Sequence, residues 1–256
     1  MSADPEAMLA TWLPRIHDGN RHVRSGIGSV PYNALALAQH VLAFPRALTR
    51  AARGGRLPRP RLQAPWLPYW PALAARPLHD AADYPWAGLL RQASGDIRRE
   101  LAEVCDSFER ARYDSDFNAK PWNTYYFYLE GRAVPDHLAA CPRTREVLEQ
   151  IPHNGLHVCF SALEPGGSLH PHTGPTNASL TAHLGLVDCS GSTIWVGGQS
   201  APYRDDDVVI FDDSFVHWVE NTGTRRRYTL MITFWHPELT APERALLRLA
   251  VRLGAR

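Results

Sequence analysis

The chain has 256 residues, with 27 basic and 26 acidic side chains and a formal net charge of +1. This balance excludes a nucleic-acid-binding protein that depends on bulk positive charge, and it excludes a strongly acidic disordered chain. Hydrophobic residues make up 45% of the sequence, which is enough for a sizeable core. No apolar run approaches the ~18 residues of a membrane span, so we expect none. The first ten residues lack a secretion-signal pattern, so we expect a cytoplasmic protein.

The first quarter of the sequence is patterned as helix. Apolar periodicity predicts helices over 7–16 and 33–53. The stretch 53–61 is rich in arginine, proline and glycine, which predicts a linker or surface loop. We therefore treat residues 1–64 as a helical N-terminal extension with a linker.

A further amphipathic helix is predicted over 84–111, with Asp80 or Asp83 as its N-terminal cap. A short helix is predicted at Arg143–Gln150. A capping box at Thr240–Glu243, with proline in the first turn, predicts a closing C-terminal helix over 241–256.

After Trp122 the pattern changes to short β-like runs separated by turns that contain glycine. The predicted strands are Tyr125–Leu129, His157–Leu163, Ser179–Val187, Ser192–Val196, Asp207–Phe211 and Arg226–Phe234. Many short strands at near-regular spacing are typical of an antiparallel sandwich or jelly roll. We therefore expect a mainly β fold with flanking helices.

Histidines cluster at the edges of these predicted strands. His170 and His172 lie in one segment between two strands, and His217 follows 45 residues after His172. Neutral imidazoles bind Fe(II), Zn(II) and Cu(II) alike, so the spacing suggests a metal site without choosing the metal. The alternative interpretation is that these are hydrogen-bonded core or surface histidines.

Non-haem iron sites usually combine two histidines with one carboxylate. Here the segment reads His172-Thr173-Gly174, and glycine has no ligating atom. Either water or another anion fills the third position, or the site is of another kind. Asp212 and Asp213 are close to His217 in sequence, but strand neighbours point to opposite faces, so proximity does not make them ligands.

Three arginines, Arg225, Arg226 and Arg227, open the last predicted strand. Strand alternation places Arg225 and Arg227 on the face of Thr229, opposite to Arg226. An arginine that points into a barrel is costly unless it meets a carboxylate, which a dicarboxylate ligand would supply. A surface cluster of arginines is the alternative.

Four segments taken together resemble one known family, the aspartyl/asparaginyl β-hydroxylases, which are Fe(II)- and 2-oxoglutarate-dependent oxygenases. The segments are Pro171–Asn177, His183–Leu186, Phe211–His217 and Trp235–Leu239. The resemblance covers roughly residues 65–240. It implies a double-stranded β-helix, that is, a jelly-roll, cupin-like core with supporting helices over this range.

The resemblance also implies roles for single residues. His172 and His217 would be the two iron ligands, and glycine at Gly174 is expected because this family is similar in lacking the third carboxylate ligand. Arg227, helped by the Ser161 hydroxyl, would bind the distal carboxylate of 2-oxoglutarate.

His183 would contact the end of 2-oxoglutarate nearer the metal. The family pattern has arginines at the positions of Ser179 and Thr181, and both are absent here. Their absence argues against an acidic aspartyl side chain of a protein as the substrate.

We therefore expect Fe(II)- and 2-oxoglutarate-dependent hydroxylation of an unactivated C–H bond. Molecular oxygen would be consumed, and succinate and CO2 released. The substrate would be a small amino-acid-like or peptidyl molecule. Three alternatives stay open: a halogenase with chloride at the third ligand position, a non-catalytic barrel that binds a small acid, and a cupin-like zinc or iron site made of His170, His172 and His217.

Overall fold

A computed structural model describes residues 8–16, 46, 62–112 and 120–254. Residues 8–16 are helical, in agreement with the apolar periodicity of that segment. The predicted helix over 33–53 and the linker over 53–61 lie outside the described residues, apart from residue 46.

The described part of the chain contains twelve strands. They are β1 Leu78–His79, β2 Glu109–Arg110, β3 Trp122–Leu129, β4 Arg132–Ala133, β5 His153–Leu163, β6 Ser168–His172, β7 Ser179–Val187, β8 Ser192–Val196, β9 Gln199–Pro202, β10 Val208–Phe211, β11 His217–Asn221 and β12 Arg227–Trp235. From residue 62 onward the α-helices are α1 Trp86–Val104, α2 Pro135–Ala140, α3 Pro142–Glu149 and α4 Ala241–Gly254. No helix in this part of the chain is both long and apolar enough to cross a bilayer.

The strands form two antiparallel sheets. The large sheet has the order β1-β10-β7-β12-β5-β3-β2, with β4 paired to β3, and the small sheet has the order β6-β11-β8-β9. Neighbours in the chain are mostly not neighbours in a sheet, because the chain crosses repeatedly between the two sheets. This is a double-stranded β-helix, and it confirms the predicted mainly β, jelly-roll fold with flanking helices.

The two faces of the large sheet differ in chemistry because side chains alternate along a strand. The outer face packs on α1, where Leu90, Ile97 and Leu101 meet Phe160 and Leu230 in the main core. The inner face is buried as well, but it is largely polar. It carries Ser161, Thr181, His183, Arg227, Thr229 and Thr233. A polar face inside a barrel is where a ligand site is expected.

The long helix is shorter than the sequence predicts. It ends at Val104, and after one 3-10 turn residues Glu109–Arg110 pair with β3 as strand β2. The ring of Phe108 stacks on Tyr125 and Phe160, so tertiary packing draws the chain into the sheet.

The predicted cap of this helix is also wrong. Asp80 accepts a hydrogen bond from the Ala82 N–H and caps the 3-10 turn Ala81–Asp83. At the N-cap position of α1 stands Pro85, which makes no side-chain capping bond.

All six predicted strands are present. Ser179–Val187 and Ser192–Val196 match β7 and β8 at both ends, whereas β5 begins earlier than predicted, at His153. The predicted helix Arg143–Gln150 is α3 within one residue at each end. A second short helix, α2, precedes it.

Helix α4 begins with the predicted capping box. The Thr240 N–H and hydroxyl donate to Glu243 Oε2 at 2.6 and 2.7 Å, and Arg46 pairs with the same carboxylate at 2.5 Å. The helix then packs Leu247 against a cluster that includes Trp235. The cap therefore ties α4 to one end of the barrel.

Substitution of Glu243 tests this cap. We expect Glu243→Ala to lower the free energy of unfolding by about 1–3 kcal/mol, because a buried acceptor for three donors is lost. Chemical denaturation measures the change. Glu146→Ala is the matched control, since Glu146 lies on α3 and is 48% exposed. Equal stability losses in both variants would contradict the assignment.

Candidate active site

Two histidines lie directly opposite each other in the small sheet. His172 at the end of β6 pairs with His217 at the start of β11, and their ring centroids are 4.2 Å apart. Opposite residues of an antiparallel pair point to the same face, so the register itself brings the imidazoles together. The two histidines of the predicted site therefore lie side by side.

Backbone carbonyls fix the tautomer of both rings. His172 Nδ1 donates to the His170 carbonyl at 2.7 Å, and His217 Nδ1 donates to the Phe215 carbonyl at 2.9 Å. A carbonyl can only accept, so each Nδ1 carries the hydrogen and each Nε2 keeps a free lone pair. This is the arrangement that metal-binding histidines adopt.

Electrostatics keep both rings neutral. The protein atoms packed around the His172 ring keep water away from it and so lower its pKa, although part of the residue is exposed to solvent. Burial lowers the pKa of His217 well below its usual value, and the neighbouring His172 adds to this effect. Neutral imidazole is the form that binds a metal ion.

The carboxylate of Asp213 fills the space beside Gly174. A Cβ atom built on Gly174 would lie 2.3 Å from Asp213 Oδ1. Asp213 Oδ2 accepts a hydrogen bond from the Thr181 hydroxyl at 3.1 Å. Its Oδ1 is buried and has no hydrogen-bond partner, and burial raises the pKa of Asp213 to about 7.

Strand alternation had argued against Asp213, but this residue lies in the turn before β11, where alternation does not apply. Within the described ranges, no three His, Cys, Asp or Glu side chains form a group that could hold a metal ion. Asp213 therefore lies beside the histidine pair and does not complete a triad.

His170 does not join the pair either. Its ring stacks on Trp12 of the N-terminal helical segment, with centroids 4.9 Å apart, and its contribution to the site is the carbonyl that orients His172. The alternative of a cupin-like triad of His170, His172 and His217 is therefore wrong.

Arg227 is a buried cation on the inner face of the large sheet. It is 1% exposed, its Nη1 donates to the Thr229 hydroxyl at 3.0 Å, and its guanidinium lies 4.9 Å from the centroid of the Tyr203 ring. Its Nε has no hydrogen-bond partner, and across the described residues no carboxylate pairs with it. A buried guanidinium in this setting fits an anionic ligand.

Its two neighbours are surface residues. Arg225 is 76% exposed and lies 3.7 Å from Asp188, and Arg226 binds Glu164 at 2.5 Å. The alternative of a surface cluster therefore holds for these two arginines but not for Arg227.

His183 lies on the same inner face as Arg227. Its Nδ1 shares a 2.7 Å hydrogen bond with the Tyr203 hydroxyl, and its Nε2 is buried without a hydrogen-bond partner. Burial, together with the charge of Arg227, lowers the pKa of His183 to about 3. Burial raises the pKa of Tyr203, so the phenol keeps its hydrogen.

Ser161 completes this face from β5. It lies opposite Thr229 in one neighbouring strand and Thr124 in the other, and its hydroxyl accepts from Trp122 Nε1 at 2.9 Å. Thr124 Oγ1 is buried on the same face. Ser161 is thus positioned on one polar wall with Arg227.

Sequence reasoning missed Asp213 as a neighbour of Gly174, and it missed Tyr203 and Thr124. Asp213 and Tyr203 lie outside the strands, where no periodicity assigns a direction. Thr124 had a usable signal, because alternation along β3 places it on the same face as Trp122.

The chain was compared with known proteins. Residues 91–237 match the family described as aspartyl/asparaginyl beta-hydroxylase. A 196-residue stretch is 31% identical to aspartate beta-hydroxylase domain-containing protein 2 of Xenopus tropicalis, covering 72% of this chain and 51% of that protein.

Two further relatives cover different shares of their own length. The human aspartyl/asparaginyl beta-hydroxylase is 33% identical over 59% of this chain, a match that spans 21% of the human protein. The ornithine lipid ester-linked acyl 2-hydroxylase of Rhizobium tropici is 31% identical over 68% of this chain and 67% of its own length. The chain thus spans about half or less of the animal relatives. With its jelly-roll core and opposed histidine pair, the chain belongs to the aspartyl/asparaginyl beta-hydroxylase family.

Proposed function

We propose that this protein is an Fe(II)- and 2-oxoglutarate-dependent hydroxylase of an unactivated C–H bond. One observation carries the proposal: Arg227 is a buried cation without an acidic partner in the described chain, inside the barrel whose mouth holds the His172–His217 pair. A dicarboxylate bound at the metal would neutralise this charge. Family membership and the hydroxylases among its relatives support the same chemistry.

The donor set fits ferrous iron. His172 and His217 would hold the ion through their Nε2 atoms, since both Nδ1 atoms are occupied by carbonyls. Two imidazoles leave several positions of the ion open for 2-oxoglutarate and oxygen. Bound iron and 2-oxoglutarate together supply the oxidant, and succinate and CO2 are the by-products.

The chain's own residues would orient 2-oxoglutarate. Arg227 offers a guanidinium to the distal carboxylate, and the Ser161 hydroxyl lies on the same wall. His183 acts at the other end. When Tyr203 donates its hydrogen to His183 Nδ1, the hydrogen of the neutral ring resides on Nε2 and can be donated to the ligand.

The position of Asp213 favours hydroxylation over halogenation. A halogenase needs room for a chloride ion on the metal beside the glycine. Here a carboxylate fills the space next to Gly174, and it would repel a halide when ionised.

The part of the inner face around Thr181 and Thr233 carries no cationic side chain among the described residues, which suits an uncharged part of a substrate. Asn154 donates to Ser179 at 2.8 Å, and the Thr233 hydroxyl donates to the Asn154 carbonyl oxygen at 2.7 Å. With the nearby Thr181 donating to Asp213, these groups satisfy one another. Such a wall presents no cation to an acidic side chain.

The rhizobial relative is named for 2-hydroxylation of an ester-linked acyl chain of ornithine lipid. We therefore propose an acyl group joined to an amino-acid-like or peptidyl head as the substrate. Stimulation of succinate release by such acyl compounds, compared with free amino acids and peptides, tests this class. Stimulation by free amino acids or peptides alone would contradict it.

The histidine assignment predicts a clear difference between neighbours. His172→Ala and His217→Ala should each abolish succinate formation and weaken Co(II) or Fe(II) binding, because one of two ligands is lost. His170→Ala should keep most of the activity, since its contribution to the site is a backbone carbonyl. Full turnover in either ligand variant would defeat the assignment.

The anchor assignment predicts a change in the KM for 2-oxoglutarate. We expect Arg227→Gln to raise this KM by about 100-fold or more, because a charge-assisted pair is lost. Arg226→Gln is the matched control and should leave the KM unchanged, since Arg226 faces Glu164 at the surface. Initial rates over a range of 2-oxoglutarate concentrations give the KM of each variant. A KM of Arg227→Gln equal to that of Arg226→Gln would show that Arg227 does not bind 2-oxoglutarate.

The contact of Gly174 with Asp213 predicts an effect of a single methyl group. A Cβ atom at position 174 would overlap the Asp213 carboxylate and shift the backbone two residues from His172. We therefore expect Gly174→Ala to lower the affinity for Co(II), and Gly174→Ala combined with Asp213→Ala to restore it. Gly88→Ala is the control, because a Cβ there meets nothing within 4 Å. Metal titration followed by absorbance is the measurement. A Co(II) affinity of Gly174→Ala equal to that of the wild type would contradict the close contact between position 174 and Asp213.

A further inference from the structure

The outward face of α4 carries positive charge without a matching acid. Arg244 and Arg248 are exposed and stand one helical turn apart, on the same face. The acidic residue in the sequence of α4 is Glu243. It is buried and bound by Thr240 and Arg46, so it does not compensate this face.

Exposed arginines on other helices behave differently. Those on α1 and α3 form ion pairs with nearby acids: Arg91 with Asp207, Arg98 with Asp206, Arg99 with Asp96, Arg143 with Glu146 and Arg145 with Glu149. Within the part of the chain that the structure describes, Arg244 and Arg248 have no such partner. Their charge is available to something outside the molecule.

An exposed leucine extends the same face. Leu249 is 54% exposed, the highest value for a large apolar side chain in the described chain. With Ala241 and Ala245, the residues Arg244, Arg248 and Leu249 follow the spacing of one helical stripe. Arginine stems can lie along an apolar surface while their guanidinium groups stay at its polar boundary, so this stripe is compatible with a membrane surface.

The inward face of α4 fixes the position of this stripe on the barrel. Leu247 packs in one cluster with Trp235 and Ala178. Trp235 is paired with Ser179, so this cluster lies at the end of the large sheet where β7 begins and β12 ends. Helix α4 therefore covers that end of the sheet and turns Arg244 and Arg248 away from it.

We propose that the stripe of α4, defined by Arg244, Arg248 and Leu249, docks the protein on an anionic phospholipid bilayer. Charge complementarity selects the occupant: two exposed guanidinium groups that form no ion pair with an acid of the described chain match phosphate headgroups. Docking goes beyond the proposed chemistry and needs only α4; its use in presenting an acyl chain to the site rests on the proposed function.

Vesicle co-sedimentation of the 256-residue chain tests the docking. We expect binding to vesicles of phosphatidylcholine mixed with phosphatidylglycerol, little binding to pure phosphatidylcholine, and weaker binding at high salt. Each arginine near an anionic surface raises the ratio of vesicle-bound to free protein by about fivefold. The double variant Arg244→Glu with Arg248→Glu should therefore lose at least about tenfold. Leu249→Ser should lose a few fold through its apolar contact.

The matched control is Arg143→Glu with Arg145→Glu, which makes the same change in net charge on α3. It should bind nearly as wild type does. Three results would overturn the proposal: no binding of wild type to the anionic vesicles, an unchanged partition in the α4 variant, or equal losses in both double variants. Self-association of the wild type in the absence of lipid, lost in the α4 variant, would assign the stripe to a second copy of the chain and would also overturn it.

Thermal melting of each variant checks that the fold is intact. The vesicle assay contains neither iron nor 2-oxoglutarate, so its outcome is independent of the hydroxylase proposal. Conversely, vesicle binding without any succinate release would support the docking and contradict the proposed hydroxylase activity.

Discussion

The buried charge of Arg227 constrains the rest of the site. Arg227 is 1% exposed in the described structure, and a buried guanidinium needs nearby groups that stabilise its charge. Here the Thr229 hydroxyl accepts a hydrogen bond from it, and the face of the Tyr203 ring makes a cation–π contact with it. The same charge helps to hold His183 neutral. Burial and this one cation together keep His183 neutral on the face where an acidic ligand would bind, and the jelly roll brings that face to the histidine pair.

The two sheets contribute different parts of the site. The large sheet uses its outer face for packing on α1 and its inner face for polar groups, so stability and ligand contacts do not compete for the same side chains. The small sheet contributes the register that opposes His172 and His217. Asp213 enters from a turn between the two sheets, which explains why glycine is required opposite it.

Sequence patterns predicted the strands with strong alternation, and the family resemblance singled out His172, His217 and Arg227. They failed where tertiary contacts decide. The long helix stops at Val104 because Phe108 packs into the core. Six strands of the described chain were not predicted: β1, β2, β4, β6, β9 and β11. In β6 and β9, proline and exposed polar residues hide the alternation. Asp213 could not be assigned, since the direction of a side chain in a turn follows from the turn geometry and not from a sequence period.

The proposed function requires that the barrel bind one 2-oxoglutarate at a metal held by His172 and His217. Anaerobic titration of the purified protein with 2-oxoglutarate, with and without Fe(II), measures this binding. We expect saturable binding of one 2-oxoglutarate per chain, with an affinity that rises strongly when Fe(II) is present. An affinity that is the same without the metal, or no binding in its presence, would show that the proposed site is wrong.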